Sequence, residues 1–238
     1  MKLYDDLAEL GPLISAPSEY VEEAAYLRRV LDAATTPSPR SVLELGSGWG
    51  NVATFLKAHY ALTLTDVAPR MLAVSRAANP ECEHIEGDLR TLRLGRQFDA
   101  VLVHDAIVYM TTLDDLRAAM RTAFEHLRPG GAAVFVPDEV AETFESCANL
   151  HGGDGDGRSV RYVEWSVDPD PSDTSYLVDY VVLIRDATGD LRIVHDRHVS
   201  GLFPRATWLQ ALHDVGFDAD VDVVTDEWGR DVFIARRR

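Results

Sequence analysis

Short apolar runs alternate with stretches of helical periodicity along the first half of the chain. Each run is long enough for one buried strand, and the intervening apolar residues recur three or four positions apart. After the first strand, Val52, Phe55 and Leu56 share one helical face. The predicted strands lie at residues 42–45, 62–66, a short stretch before Glu86, 98–103 and 132–136. Strands that alternate with helices predict an α/β fold with a parallel sheet.

The periodicity changes after the fifth strand. Residues 160–167, 176–185 and 191–203 are β-like, and apolar side chains occupy every second position from Tyr176 to Ile184. Thr188, Gly189 and Asp190 supply a hairpin turn, whereas the polar stretches 151–159 and 168–173 are predicted to be exposed loops. The pattern predicts an antiparallel β-meander inserted at this point of the chain.

A last helix and two strands are predicted to complete the first sheet. The helix covers residues 205–215 and is capped by Gly216, and the strands cover 220–224 and 231–235. The sheet then has seven strands. Helices on both faces would cover it, as parallel sheets require.

The N-terminal residues 1–40 are predicted to form a helical cap. Apolar residues at helical spacing indicate a helix over 19–31, with Ser18 as its N-cap. With 238 residues, the chain is expected to form one domain. Its parts are the cap, a core over 41–150, the insertion over 151–203, and the closing elements over 204–238.

Three glycines stand at alternate positions in the turn after the first strand. Gly46, Gly48 and Gly50 lie where open α/β sheets bind nucleotides, and the missing Cβ atoms allow a ligand to approach the backbone amides. A dinucleotide-binding turn has the spacing GxGxxG, but the residue after Gly50 here is Asn51. Glu44, two residues before Gly46, is also foreign to that pattern.

The motif ExGxGxG resembles the first motif of the class I S-adenosylmethionine (SAM) methyltransferases. Asp66 ends the second strand 20 residues after Gly46, the acid Asp88 follows the third strand, and the sequence LRPGG precedes the fifth. These segments resemble that family in order and spacing. The resemblance implies a Rossmann-like seven-stranded methyltransferase sheet. A meander after strand five is similar to that of small-molecule N-methyltransferases, including the dimethylating enzymes of amino sugars.

The resemblance also implies which residues bind SAM. Asp66 would accept hydrogen bonds from the ribose diol, Asp88 would face the adenine amino group, and Tyr4 and Tyr20 would close over the cofactor. The full set of expected cofactor-binding residues is Tyr4, Tyr20, Glu44, Gly46, Ser47, Gly48, Gly50, Asp66, Val67, Met71, Gly87, Asp88, Leu89 and His104.

Methyl transfer is an in-line displacement that needs orientation more than a nucleophilic side chain. Candidates for the acceptor side are Tyr109 and His104, just past the fourth strand, and His198 on the last meander strand. Tyr109 resembles a position where sugar N-methyltransferases carry a polar ring. His195 and His198 are three residues apart, so they face opposite sides of a strand. No metal is expected, because the cysteines lack ligand spacing, and a site from His104, Asp105 and these histidines is a weakly supported alternative.

The composition limits the classes of partner that the chain is expected to bind. A formal charge of −16 argues against binding to nucleic acid, and no apolar run is long enough for a membrane span. The N-terminus lacks the features of a signal peptide. Cys82 and Cys147 are interpreted as buried thiols in a reducing cytoplasm. The expected partner is a small-molecule methyl acceptor, and a homodimer is compatible with the sequence.

The resulting hypothesis is a SAM-dependent small-molecule methyltransferase, with an amine favoured over a hydroxyl as the acceptor. One alternative is a SAM-binding regulatory or scaffold protein without turnover, because the motifs report binding and not transfer. A less favoured alternative is an NAD-dependent oxidoreductase, which the missing GxGxxG spacing disfavours. The sequence leaves the identity of the acceptor open.

Overall fold

The structure is a computed structural model that describes residues 1–218 and 222–238. Its helices are α1 (Gly11–Ile14), α2 (Val21–Ala34), α3 (Ala53–Leu56), α4 (Pro69–Ala78), α5 (Leu113–His126) and α6 (Arg205–Val215). Its strands are β1 (Ser41–Leu45), β2 (Ala61–Asp66), β3 (Glu83–Glu86), β4 (Phe98–His104), β5 (Leu127–Val136), β6 (Cys147–His151), β7 (Asp154–Gly155), β8 (Arg158–Val167), β9 (Ser175–Arg185), β10 (Leu191–Gly201), β11 (Asp222–Thr225) and β12 (Asp231–Arg236).

Seven strands form one sheet in the order β11-β12-β5-β4-β1-β2-β3, which confirms the predicted fold. Strands β3, β2, β1, β4 and β5 run parallel to one another, whereas β12 is antiparallel to both β5 and β11. Leu43 of β1 packs on one face with residues of α5 and α6, and its neighbour Val42 packs on the other face with residues of α2 and α3. The carboxyl ends of β1, β2, β4 and β5 therefore meet at one edge.

The insertion forms a second, antiparallel sheet in the order β10-β9-β8-β6, with β7 paired to β8. The predicted meander is confirmed, but the sheet has a further strand, β6, that begins before residue 151. Its five residues are all exposed, so no apolar alternation marked it in the sequence. The stretch 151–159, predicted to be a loop, contains the end of β6, all of β7 and the start of β8.

The helix predicted over 19–31 is displaced along the chain. Pro17 opens a 3₁₀ turn over Pro17–Tyr20, and α2 begins only at Val21 and continues to Ala34. Ser18 therefore lies inside the 3₁₀ turn and is not the N-cap of this helix, a position that Tyr20 takes without a side-chain bond. The apolar periodicity located the helix, but a 3₁₀ turn that begins at Pro17 precedes its start.

The residues before α2 pack on the inserted sheet. Four leucine or isoleucine side chains of this N-terminal segment are buried together with four side chains of β8 and β9: Leu3, Leu7, Leu10 and Ile14 with Val160, Tyr162, Val182 and Ile184. Leu7 is fully buried. The cap and the insertion thus share a hydrophobic core that is separate from the two cores of the seven-stranded sheet.

Smaller predictions agree with the structure in part. The last helix covers Arg205–Val215 as predicted, and Gly216 ends it in the left-handed conformation. The strand predicted over 220–224 is described only from Asp222, because its first two residues lie outside the described residues. Cys82 is buried, but Cys147 is exposed, contrary to expectation, because it lies on β6. Within the described residues, no helix is both long and apolar enough to cross a membrane.

The shared core generates a prediction about the N-terminal segment. We expect Leu7→Ala to weaken the attachment of this segment to the second sheet by about 2 to 5 kcal/mol, through lost burial and a cavity. Amide hydrogen exchange of the N-terminal segment should then accelerate, while β1 and β4 stay protected. Val21→Ala, at an exposed position of α2, is the control. Equal acceleration in all strands would contradict local detachment.

Candidate active site

The glycine turn after β1 is fixed by its neighbours. The amides of Gly46 and Ser47 both donate to the carbonyl of Thr65, each at 2.8 Å, which ties the turn to β2. Gly46 has a φ of 77°, and a Cβ there would overlap the Cβ of Ala106, which follows β4. Only glycine satisfies both the conformation and the close approach. The turn therefore lies directly against the segment that follows β4.

Asp66, at the end of β2, holds the turn from the other side. One carboxylate oxygen accepts a hydrogen bond from the amide of Gly48 and the other accepts one from the amide of Ala68, each at 2.8 Å. Burial raises the pKa of Asp66, against the effect of these two bonds. Each oxygen keeps a lone pair, so the carboxylate can still accept bonds from a ligand.

A cavity of about 920 Å³ opens above these turns, a volume that accommodates a nucleoside-sized molecule and a second ligand. Most of the residues expected to bind SAM line it: Tyr4, Tyr20, Glu44, Gly46, Ser47, Gly48, Asp66, Val67, Met71, Gly87, Asp88, Leu89 and His104. Gly50 does not. A Cβ on Gly50 would overlap Ser75 and Asn79 of the α4 region, so this glycine allows close helix packing.

Two buried polar atoms in this cavity have no hydrogen-bond partner. They are Oε2 of Glu44 and Oγ of Ser47, whose residues are only 4% and 8% exposed. Burial raises the pKa of Glu44 to about 7. A buried polar atom without a partner is costly, and a polar ligand would remove that cost. Together with the glycine turn and Asp66, these atoms fit SAM, which carries an amino group, a carboxylate and a ribose diol.

Asp88 reaches the cavity from the loop after β3 and is held by Arg90. The two side chains form an ion pair at 2.6 Å, and Arg90 also binds Asp115 of α5 at 3.0 Å. Hydrogen bonds from Arg90 lower the pKa of Asp88. The carboxylate stays ionised and oriented, as expected for an acceptor of an adenine amino group.

Tyr109 is the centre of a hydrogen-bond chain that crosses three segments. Its hydroxyl lies 2.5 Å from the Tyr4 hydroxyl and 3.0 Å from Nδ1 of His198. Nε2 of His198 lies 3.1 Å from the Asp196 carboxylate, which also accepts the backbone amide of Leu3 at 2.8 Å. His198 does not line the cavity. It lies behind Tyr109, and its ring also packs near the rings of Tyr4 and Tyr180, which line the cavity.

The direction of the bonds in this chain follows from its end. Asp196 accepts, so we assign the proton of His198 to Nε2, which leaves Nδ1 to accept the proton of Tyr109. Tyr4 then donates to Tyr109. Burial lowers the pKa of His198 and raises that of Tyr109 well above its usual value, so both are neutral near pH 7. The Tyr109 oxygen keeps one lone pair and can only accept from a ligand.

His104 belongs to a different network. Its Nε2 lies 3.0 Å from Glu23 and 3.2 Å from Asp105, and Arg230 pairs with the same two acids. Burial raises the pKa of Glu23, but bonds and charges from His104 and Arg230 outweigh it and lower that pKa to about 2. Burial lowers the pKa of His104, but the two carboxylates outweigh it and raise that pKa. Nε2 of His104 is thus engaged by two carboxylates, and the catalytic role expected for His104 stays a prediction.

The sequence did not single out several residues that line the cavity. Trp49 lies inside the glycine motif, and its indole donates to the carbonyl of Ala8 at 2.9 Å. Asp138 lies two residues past β5, and Glu164 projects from β8 on the face that also carries Tyr162. Asp138 lacked a motif. The odd–even alternation of β8 could have assigned Glu164 to the face with the buried Tyr162.

Asp105 has an unusual backbone conformation next to the cavity. Its φ is 53° and its ψ is −49°, a region that L-residues rarely adopt. The residue lies between the end of β4 and the 3₁₀ turn Ala106–Tyr109. Strain of this kind persists where the surrounding structure enforces it, often at functional sites. Here it turns the chain so that both the Asp105 carboxylate and the Tyr109 ring face the cavity.

Comparison with known proteins identifies the family. A methyltransferase domain model matches residues 42–131. The dTDP-3-amino-3,4,6-trideoxy-alpha-D-glucopyranose N,N-dimethyltransferase of Streptomyces venezuelae is 30% identical over 201 residues, which cover 83% of each chain. The solved structure of DesVI from Streptomyces venezuelae is similar with a TM-score of 0.83 and 27% identity, covering 98% of this chain and 96% of that one.

A third comparison includes the cofactor. SAM-bound CalS10 is an amino pentose methyltransferase from Micromonospora echinaspora involved in calicheamicin biosynthesis. It has a TM-score of 0.77 to this chain and 28% identity, over 91% of each. These findings confirm SAM as the cofactor and favour methyl transfer over the regulatory and oxidoreductase alternatives. The chain belongs to the family of SAM-dependent sugar N-methyltransferases, and it transfers a methyl group from SAM to a small-molecule acceptor.

Proposed function

We propose that the chain methylates an amino group on a small, sugar-like acceptor, and that Tyr109 orients the nitrogen. The observation that carries this proposal is the chain Asp196–His198–Tyr109–Tyr4, which leaves the Tyr109 oxygen as a pure acceptor facing the cavity. An amine has N–H groups to donate to it. The names of the relatives, which act on amino sugars, support the same acceptor class.

The geometry supports orientation as the main source of acceleration. Bound SAM supplies an electrophilic methyl group. Asp66 would bind its nucleoside end beside Gly46 and Gly48, and the unpartnered Oε2 of Glu44 and Oγ of Ser47 would bind its amino-acid end. Tyr109 then fixes the acceptor nitrogen in the same cavity, so that lone pair and methyl are aligned.

An amine is a better acceptor than a hydroxyl in this cavity. A hydroxyl must give up its proton to a base during transfer. Tyr109 stays protonated because burial raises its pKa well above the usual value, and Nε2 of His104 is already paired with Glu23. Tyr109 therefore does not serve as that base near pH 7. An amine requires only that a weak proton acceptor be available, which favours N-methylation.

The role proposed for Asp66 gives a binding prediction. Asp66→Ala removes the acceptor of two ribose hydrogen bonds and also releases the amide of Gly48. Charge-assisted bonds contribute about 1.5 to 3 kcal/mol, so the Kd for SAM should rise roughly tenfold to a hundredfold. Calorimetric titration measures the Kd. Glu22→Gln, at an exposed position of α2, is the control for loss of one negative charge. An unchanged Kd in folded Asp66→Ala would remove Asp66 from the site.

The role proposed for Tyr109 gives a kinetic prediction. Tyr109→Phe keeps the ring and removes the oxygen that accepts from the acceptor, so methyl transfer should slow about tenfold if the oxygen only orients. The Kd for SAM should stay within twofold, roughly, because the glycine turn and Asp66 are untouched. His198→Gln removes the imidazole that accepts from Tyr109 and should slow transfer less. A loss of SAM affinity in Tyr109→Phe as large as its loss of transfer rate would place this residue in the cofactor site instead.

We also propose that the chain forms a homodimer through the outer face of the second sheet. Residues paired across a sheet share a face, and on the face opposite to the cavity five large apolar side chains are exposed: Leu150, Trp165, Val181, Ile193 and Val199. The same face carries Asp179 paired with both His195 and Arg197, and the exposed apolar side chains around them favour association. We further propose that the chain binds no nucleic acid, because its formal charge is −16. We also propose that it works in a reducing cytoplasm, which suits its free cysteines.

Light scattering tests the dimer. The chain should have about twice the mass of its 26.4 kDa monomer, and the double variant Trp165→Glu/Ile193→Glu should have the monomer mass. Charges placed on an apolar interface oppose its burial. The variant should still bind SAM, since the cavity is on the other face. A dimer that persists in the double variant would show that another surface mediates association.

A further inference from the structure

Two side chains of the glycine turn after β1 are hydrogen-bonded to the backbone of the N-terminal segment. The indole Nε1 of Trp49 donates to the carbonyl of Ala8 at 2.9 Å, and Nδ2 of Asn51 donates to the carbonyl of Ser15 at 3.1 Å. Both carbonyls belong to the segment that precedes α2. The turn proposed to bind SAM is therefore bonded directly to the segment that carries Tyr4.

Gly11 lies so close to the Trp49 indole that no side chain fits between them. A Cβ on Gly11 would lie within 2.7 Å of three indole atoms. The φ of Gly11 is −44°, an ordinary helical value, so its backbone conformation does not require glycine. The contact with the indole does require it. Trp49 and Gly11 are thus complementary partners from two distant parts of the sequence.

The same contact fixes the position of Tyr4. The Tyr4 ring packs edge-on against the indole of Trp49, with the ring centroids 6.0 Å apart, and its hydroxyl lies 2.5 Å from that of Tyr109. The amide of Ala8 donates to the carbonyl of Asp5 at 3.3 Å, so the chain from Tyr4 to Ala8 is a compact turn. A shift of Ala8 relative to the indole would therefore also move Tyr4.

The position of Trp49 depends on the glycine turn. Gly48 and Gly50 flank it with φ values of 54° and 75°, which other residues rarely adopt. Oγ of Ser47, two residues before Trp49, is buried and has no hydrogen-bond partner among the described residues. A ligand bonded to this atom would remove the cost of the missing bond and restrict the turn. Binding of the cofactor is in this way linked to the position of the indole.

Resting on the orienting role of Tyr109 proposed above, we infer that Trp49 is a positioning residue through which the cofactor turn determines the location of Tyr4. A restricted turn holds the indole against Ala8 and Gly11, and Tyr4 is then placed to donate to Tyr109. Trp49 acts on the acceptor side without a bond to the acceptor. Because linkage is reciprocal, a fixed N-terminal segment also favours the cofactor-bound turn.

Amide hydrogen exchange with and without S-adenosylhomocysteine measures this linkage. Exchange of residues 3–10 is recorded for the full chain, alone and saturated with this demethylated product of SAM. We expect the ligand to slow their exchange about tenfold, because a better-held hydrogen bond and its packing contacts raise the local stability. Calorimetric titration gives the Kd of the same ligand and shows that each protein is saturated.

Two variants remove the contact from its two sides. Trp49→Phe keeps an aromatic ring but lacks the donor to Ala8, and Gly11→Ala displaces the indole from a backbone position that alanine adopts without strain. Each should reduce the slowing to about twofold or less while β1 and β4 keep their protection. The double variant should lose no more than the more affected single variant, because both act on one contact. Trp228→Phe, at a half-exposed position that does not line the cavity, is the control and should keep the full slowing.

Three results would overturn the inference. The first is slowing that persists in both Trp49→Phe and Gly11→Ala. The second is exchange of residues 3–10 that accelerates by the same factor with and without the ligand, because the contact would then be purely structural. The third is an unaltered chain that calorimetry shows to be saturated but whose N-terminal segment exchanges at the same rate as without ligand.

Methyl transfer separates this inference from the proposed function. Labelled SAM and dTDP-3-amino-3,4,6-trideoxy-alpha-D-glucopyranose, the amino sugar named for the relative of Streptomyces venezuelae, serve as probes. Trp49→Phe should lower kcat for this amine by a larger factor than it raises the KM for SAM. Loss of the ligand-dependent slowing in the variants, with no transfer in the unaltered chain, would count against amine methylation and support the positioning role. Equal transfer rates in the unaltered chain and both variants would support amine methylation and overturn the positioning role.

Discussion

The absence of a side chain at Gly46 is the constraint on which the site depends. The turn after β1 can lie against Ala106 only because no Cβ intervenes. That approach brings the ends of β1, β2 and β4 together, so the Asp66 carboxylate, the glycine amides and the Tyr109 ring face one cavity. A larger residue at position 46 would separate the cofactor end from the acceptor end, which in-line transfer requires to be adjacent.

The cavity contains two electrostatic environments that are close in space but opposite in character. Around His104, carboxylates and cations are paired, and Glu23 has a pKa lowered to about 2. Around Asp138, burial and the neighbouring carboxylate of Asp105 raise the pKa, and the charge of Arg230 offsets only part of that rise. The first arrangement is complete within the protein and stabilises the position of β4 against α2. The second leaves the Asp138 carboxyl group facing the cavity.

The sequence predicted the fold and the cofactor region because their signals are local. A buried strand is a run of apolar residues, and a turn that excludes Cβ atoms needs glycine, so both are visible within ten residues or so. The acceptor region is assembled from distant segments. Alternation along β10 correctly separated His195 from His198, which are exposed and buried respectively. Nothing local, however, linked His198 to Tyr109, or marked Asp138 and the exposed strand β6.

The core shared by the N-terminal segment and the second sheet has a consequence for engineering. Leu7 and Ile14 fill the same interior as Val160 and Val182, so one surface of β8 and β9 both shapes the acceptor wall and seats the segment that carries Tyr4. A change in this surface would therefore alter both the acceptor specificity and the closure of the Tyr4 segment over the cavity. A chimera that imports the inserted sheet from a relative would also have to import that relative's first twenty or so residues, since the two pieces are complementary halves of one interface.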